Sequence, residues 1–188
     1  VIDRDDSILL VIDLQDGFLV RLSPERRHAV LDHSRFVVQA AARFSVPVFV
    51  TVEDPGRNGM TAAAVYGCIT PPVPQRDKRI FGLCSQDDLR HAILDQPKRT
   101  AILVGMDTDV CVLHTAVGLV NEGFRAVIVS DATEAPARAR DQGLERAVFL
   151  GAEIVSARGL YYEWMRSIDG LAMIESGGAI VPPVGTVL

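Results

Sequence analysis

Four short runs in this sequence are apolar almost without a break: residues 8–12 (ILLVI), 46–52 (VPVFVTV), 100–104 (TAILV) and 126–129 (AVIV). A strand with one face in water alternates apolar and polar side chains. A run that is apolar at nearly every position fits a strand covered on both faces. Between the runs lie segments of helical periodicity. Residues 24–44 form one, with Ser23 as N-cap and Pro24 in the first turn. Others start at Ser85 and reach about Gln96, span 109–122 before Gly123, and span 136–150 before Gly151. A weaker strand is expected at 153–155. Strands alternating with helices are βαβ units. The expected fold is therefore α/β: three layers, α/β/α, around an open, mainly parallel, doubly wound sheet.

The 188 residues suit one domain covering 1–188, with enough buried surface for a core without cross-links. Two regions break the rhythm. Residues 53–78 hold Pro55, Gly56, Gly59, Gly67, Pro71, Pro72 and Pro74, and a loop this long in a compact domain is usually functional. The tail, 158–188, carries Tyr161, Tyr162 and Trp164, every Tyr and Trp except Tyr66. Such a tail can pack on another subunit or cover the sheet edge. The first reading makes a homo-oligomer, a dimer or larger, the expected state.

Charge excludes several functions. Net charge is −5 with a sequence pI near 5.3, so there is no basic surplus to hold phosphate backbones and no nucleic-acid partner is expected. No stretch has the length of a membrane span, so no membrane partner is expected either. Cys68, Cys84 and Cys111 form an odd, sparse set without a CxxC, which points to a reducing compartment and away from a zinc cluster. The N-terminal segment has no basic region ahead of its apolar run and does not read as a secretion signal. The cytoplasm is the expected location.

In an open parallel sheet, ligands bind beyond the carboxyl ends of the strands. The polar residues there are Asp13, Gln15 and Asp16 after the first run, Glu53 and Asp54 after the second, the segment GMDTDVC (105–111) after the third, and Ser130 and Asp131 after the fourth. Cys111 stands out because it opens a helix, where partial positive charge and free N–H groups lower a thiol pKa and offer an oxyanion hole. It also reads equally as a small buried hydrophobe. Asp13 reads as a turn-capping carboxylate or as a base for the thiol proton. Lys78, inside Arg76-Asp-Lys-Arg79, reads first as part of a solvated charged face, and becomes chemical only if it lies near Asp13 and Cys111. His114 is three residues from Cys111 but points down the helix. Sequences that mark nucleotide cofactors and serine hydrolases, GxGxxG, GxxxxGK[ST] and GxSxG, are absent.

Together, ILLVIDLQDGF at 8–18, Lys78 and LVGMDTDVCVLHTAVGLVNEGFRAVIVSDAT at 103–133 resemble the isochorismatase-like cysteine hydrolase family over roughly 7–155. The resemblance implies a three-layer fold and a catalytic set of Asp13, Lys78 and Cys111. It also implies a cis peptide at Met106–Asp107 and an oxyanion hole built from the backbone N–H groups of Asp107 and Cys111. The Asp-x-His…His metal site of nicotinamidases in that family has no counterpart here, so no metal and no cofactor are expected. The serine often found soon after the lysine is also missing, and Asp107 stands where a small or neutral residue is more usual. An extra carboxylate at the site mouth would repel an anionic substrate or select a cationic one.

The resemblance points to hydrolysis of a small amide or ureide C–N bond through a thioester, with Phe18 and Glu53 lining the substrate pocket. Two alternatives stay open at this level. One is ester or vinyl-ether hydrolysis of the isochorismatase type. The other is a catalytically inactive binding or signalling module, which the Asp-rich strand ends of receiver domains bring to mind.

Overall fold

The computed structural model describes residues 1–168, 180 and 182–186. Six parallel strands form one sheet: β1 (Ser7–Ile12), β2 (Val48–Glu53), β3 (Gln75–Lys78), β4 (Thr100–Met106), β5 (Arg125–Glu134) and β6 (Glu153–Val155). Their spatial order is β3-β2-β1-β4-β5-β6, so chain direction across the sheet reverses between β1 and β4. Among the described residues five helices exceed two turns: α1 (Pro24–Arg43), α2 (Asp87–Leu94), α3 (Leu113–Asn121), α4 (Ala139–Phe149) and α5 (Ala157–Met165).

The apolar strand runs feed two cores by alternation. Leu9 and Val11 of β1, Ile102 and Val104 of β4, and Val127 and Val129 of β5 face the core under α1 and α5. Ile8, Leu10 and Ile12, Ala101 and Leu103, and Ala126 and Ile128 face the core under α2, α3 and α4. Burial on both faces is why these strands carry no polar alternation. At the crossover, Gly105 has φ +126°, and a Cβ there would lie 1.9 Å from the Ile12 carbonyl oxygen. Only glycine lets β4 lie against β1 at that point.

Three elements differ from the sequence reading. The segment 53–78 is not one irregular loop: it ends in β3, whose sequence QRDK has no strand-like apolar content. β3 sits at the sheet edge, where charged side chains suit solvent and block pairing with other chains. β5 runs on to Glu134 past an irregularity in its pairing with β4 between Leu103 and Gly105. The start of the expected tail is α5. Tyr161 and Trp164 are buried in this chain's own core, with Tyr161 packed at a tilt against Phe36 and Phe44, and Phe44 edge-on to Trp164. Most of the rest of 158–188 lies outside the described residues. No helix among the described residues is long and apolar enough to cross a membrane.

Candidate active site

The carboxyl ends of four adjacent strands bring four ionisable side chains together. Asp13 comes just after β1, Glu53 ends β2, Lys78 ends β3, and Cys111 lies five residues past β4. The Lys78 ammonium stands among the other three: Nζ is 2.8 Å from Asp13 Oδ2, 3.5 Å from Glu53 Oε2 and 3.6 Å from Cys111 Sγ. It also donates to the Ile80 carbonyl at 3.1 Å. The Asp13 and Lys78 side chains are fully buried. Thr51 donates its hydroxyl to Asp13 Oδ1 at 2.8 Å, and the Cys111 thiol donates to Glu53 Oε2 at 3.2 Å. Asp13 holds φ +46°, a left-handed conformation that a non-glycine residue seldom keeps unless its surroundings fix it.

These residues set each other's protonation. Burial pushes the Asp13 carboxyl up, against the opposing pull of Lys78 and Thr51. Burial works against the Lys78 ammonium, yet Asp13, Cys111 and Glu53 together hold it above the usual lysine value. Burial, reinforced by Asp13 and Glu53, pushes the Cys111 thiol well above the ordinary range, and Lys78 offsets only part of this. The sequence left Cys111 open between a thiol at a helix start and a small buried residue, and its burial accords with the second reading. Cys111 is 4% exposed, and desolvation beside two carboxylates outweighs the helix. Burial thus favours the neutral thiol at Cys111 and places it beside a carboxylate whose own proton affinity is raised.

The turn that carries Cys111 is also wider than expected. Thr108–Val112 form a π turn before α3 begins, and both Val110 and Val112 donate to the Asp107 carbonyl at 3.1 Å. The Met106–Asp107 peptide is cis. Thr108 and Thr133 share a buried hydroxyl contact of 2.9 Å, and Thr133 donates to the Gly105 carbonyl, which ties the turn to β5.

Around this centre the rim is organised by side chains to which the sequence reading gave no role. Arg21 pairs with Asp107 Oδ2 at 2.8 Å and lies over the Phe18 ring, 4.7 Å from its centroid. Phe18 thus joins the site through Arg21. The fully buried Gln15 clamps the loop after β2. Its Nε2 donates to the carbonyls of Glu53 at 3.0 Å and Gly59 at 2.6 Å, and its Oε1 accepts from the Glu53 N–H at 2.7 Å. Gln15→Leu removes all three bonds inside the protein. It is expected to lower the urea-unfolding free energy by about 3 kcal/mol, and a loss below about 1 kcal/mol would contradict the clamp.

Asp13, Glu53 and Cys111 present three potential ligand atoms within 4.8 Å of one another. The Lys78 ammonium lies against all three and already supplies one positive charge there. His114 stays outside the cluster, exposed and beside Phe81. Cys68 and Cys84 lie elsewhere as free thiols, and burial pushes Cys84 up to about 11. Thr51 was legible only as the polar residue in the second apolar run. Gln15 was legible only as a strand-tip amide, and Arg21 carried no signal.

The Isochorismatase domain model matches residues 7–158. The secreted isochorismatase effector Isc1 of Phytophthora sojae is 31% identical over 161 residues, 84% of this chain and 76% of that protein. Among solved structures, MAR1 ribonuclease from Caenorhabditis elegans superposes with TM-score 0.84 at 23% identity, covering 100% of this chain and 97% of that one. The Escherichia coli YcaC structure, described as an octameric hydrolase of unknown specificity, gives 0.80 at 23%, covering 92% and 87%. Nicotinamidase PncA from Bacillus subtilis gives 0.68 at 18%, covering 80% and 99%.

Proposed function

The chain belongs to the isochorismatase family of hydrolases, and on that premise we propose that it cleaves a small amide or ureide C–N bond through a thioester on Cys111. The observation that carries the proposal is the single buried cluster in which Lys78 touches Asp13, Glu53 and Cys111. A nucleophile, a base and a fixed cation are the parts that acyl transfer needs.

The placement of these groups sets the steps. Asp13 takes the thiol proton as sulfur attacks the substrate carbonyl carbon. The carbonyl electron pair moves to oxygen, which the backbone N–H groups of Asp107 and Cys111 receive. Asp13 returns the proton to the departing nitrogen as the C–N bond breaks. It then accepts a proton from water, whose oxygen attacks the thioester and releases the acid and the thiol. Lys78 keeps Asp13 ionised at rest and stabilises negative charge as it passes between oxygen and sulfur. The nicotinamidase relative supports amide chemistry on this fold. The net charge of −5 gives no support for reading the chain as a ribonuclease. The octameric YcaC relative supports a homo-oligomer, and three free cysteines support the cytoplasm.

The test is ammonia release from a panel of small primary amides and ureides. Activity is expected to fall on the acid side, with an inflection above the ordinary aspartate value of 3.8, because Asp13 must be ionised to accept the thiol proton and burial has raised its pKa. Asp13→Asn should remove that limb together with the activity. Turnover of esters or vinyl ethers alone, with no ammonia from any member of the panel, would contradict C–N bond cleavage.

A further inference from the structure

The four side chains of the cluster differ in their access to water. Those of Asp13 and Lys78 are fully buried and Cys111 is 4% exposed, whereas the Glu53 side chain is 20% exposed. Within the cluster, solvent therefore meets Glu53 first. The other carboxylate expected at the mouth, Asp107, is not a free charge: Arg21 holds its Oδ2 at 2.8 Å and its side chain is 13% exposed.

Glu53 reaches the cluster from a fixed frame. Gln15 holds both its N–H and its carbonyl, and Asn58 Nδ2 donates to that carbonyl as well, at 2.9 Å. At the end of the side chain, Oε2 accepts the Cys111 S–H at 3.2 Å. A thioester has no S–H. Acylation of Cys111 therefore removes this donor at the very stage when a water molecule is needed. It leaves a carboxylate oxygen that solvent can reach, beside the sulfur that carries the acyl group. An oxygen in that position takes its hydrogen bond from water instead. Asp13 is poorly placed to recruit this water. Its Oδ1 takes the Thr51 hydroxyl, its Oδ2 lies against the Lys78 ammonium, and its side chain has no exposed surface.

We propose, resting on the thioester reading above, that Glu53 seats the water that hydrolyses the thioester. The water donates one hydrogen to Glu53 and turns the other towards Asp13. As its oxygen bonds to the acyl carbon, the O–H bond facing Asp13 breaks, that proton passes to Asp13, and the carbonyl electron pair moves onto oxygen. When the pair returns, the C–S bond breaks and sulfur takes the proton from Asp13. This restores the thiol and its bond to Glu53. The acid leaves with the hydrogen that Glu53 had held, so Glu53 ends the cycle with the charge it began with. Its work belongs to the second half of the reaction, whereas Asp13 serves both halves.

The test separates the two halves with p-nitrophenyl acetate, a probe that acylates thiols without reference to the natural substrate. Sulfur attacks the ester carbonyl, the C–O bond breaks, p-nitrophenolate departs, and the thiol proton passes to Asp13 and then to solvent. The nitrophenolate burst reports acylation. After excess probe is removed, peptide mass spectrometry of samples quenched in acid reports the loss of acetyl from Cys111.

Glu53→Gln keeps the size of the side chain and replaces the carboxylate with an uncharged amide. It is expected to slow the loss of acetyl about 10²-fold, while the burst rate changes by less than about threefold. Hydroxylamine, which attacks the thioester without that water, should clear the acetyl group from wild type and variant at rates within about threefold of each other. Glu53→Asp keeps the charge beside Lys78 but draws it back by one methylene. It should lose acetyl at a rate between the other two, and it serves if the Gln variant does not fold. Loss of acetyl at the wild-type rate in a folded variant, or a burst slowed as much as the loss, overturns the role of Glu53 and leaves the nucleophile standing. A Cys111 that carries no acetyl group after the acid quench, in wild type and variants alike, overturns the nucleophile, and this proposal with it.

Discussion

Cys111→Ala is expected to lower turnover by at least about 10⁴-fold while the protein stays folded, with a melting temperature within about 4 °C of wild type. The two halves of the expectation have separate causes. The sulfur is the atom that would bond to the substrate, and nothing else in the cluster replaces it: Glu53 and Asp13 are held by Lys78, and His114 is outside. Removing the thiol from the fold, in contrast, deletes one small buried group and ends its contacts with two carboxylates, so little stability is lost. Circular dichroism and an ammonia assay on one preparation check both halves. Full activity in this variant would end the thioester mechanism.

Lys78→Met should have the largest effect on stability. Methionine fills a similar volume but carries no charge. The ammonium it replaces is fully buried and supplies the opposite charge for Asp13 and Glu53. Removing one member of a buried ion pair costs about 3–5 kcal/mol, because the other is left charged without a partner. Asp13 would keep no cation, only the neutral Thr51 hydroxyl and Cys111 thiol, and would take up a proton. A protonated Asp13 cannot accept the thiol proton, so activity is lost together with stability.

The pH dependence has a definite sign. Below the ordinary aspartate value of 3.8, Asp13 is neutral in the folded and unfolded chains alike and the penalty is smallest. As pH rises, the unfolded chain ionises freely while the buried carboxyl resists, so the variant loses stability until the raised folded pKa is passed. Adding Asp13→Asn should recover most of the stability at neutral pH and none of the activity. Urea unfolding across this pH range checks the whole pattern. A cost below about 1 kcal/mol for Lys78→Met would contradict a buried pair.

The fold was legible where burial alone wrote the sequence. β1, β2 and β4 are covered on both faces and read as unbroken apolar runs. β3 was not legible, because an edge strand of Gln-Arg-Asp-Lys answers to solvent and to pairing with β2, neither of which leaves an apolar pattern. The tail aromatics Tyr161 and Trp164 were visible, but the face on which they pack depends on where α1 places Phe36 and Phe44.

The site shows the same division. Asp13 and Cys111 could be found among the polar residues just past the end of each buried strand. Lys78 could not, since its flanking charges look like a solvated face, and only the family resemblance singled it out. The clamp by Gln15, the hydroxyl of Thr51 and the Arg21–Asp107 pair each join elements whose neighbours are fixed by strand order and register. The burial of Cys111 beside two carboxylates was not legible for a related reason. A helix start is visible in a sequence, whereas desolvation beside Asp13 and Glu53 exists only once four strand ends meet.

The most direct test of the central claim is the mass of the Cys111 peptide after the enzyme, turning over a primary amide that releases ammonia, is quenched in acid. The account predicts an added acyl group on Cys111 that hydroxylamine removes, absent from Cys68 and Cys84 and absent in Asp13→Asn. Ammonia release with the acyl group on another residue, or with Cys111 unmodified under conditions where hydrolysis of the intermediate is rate-limiting, would contradict it.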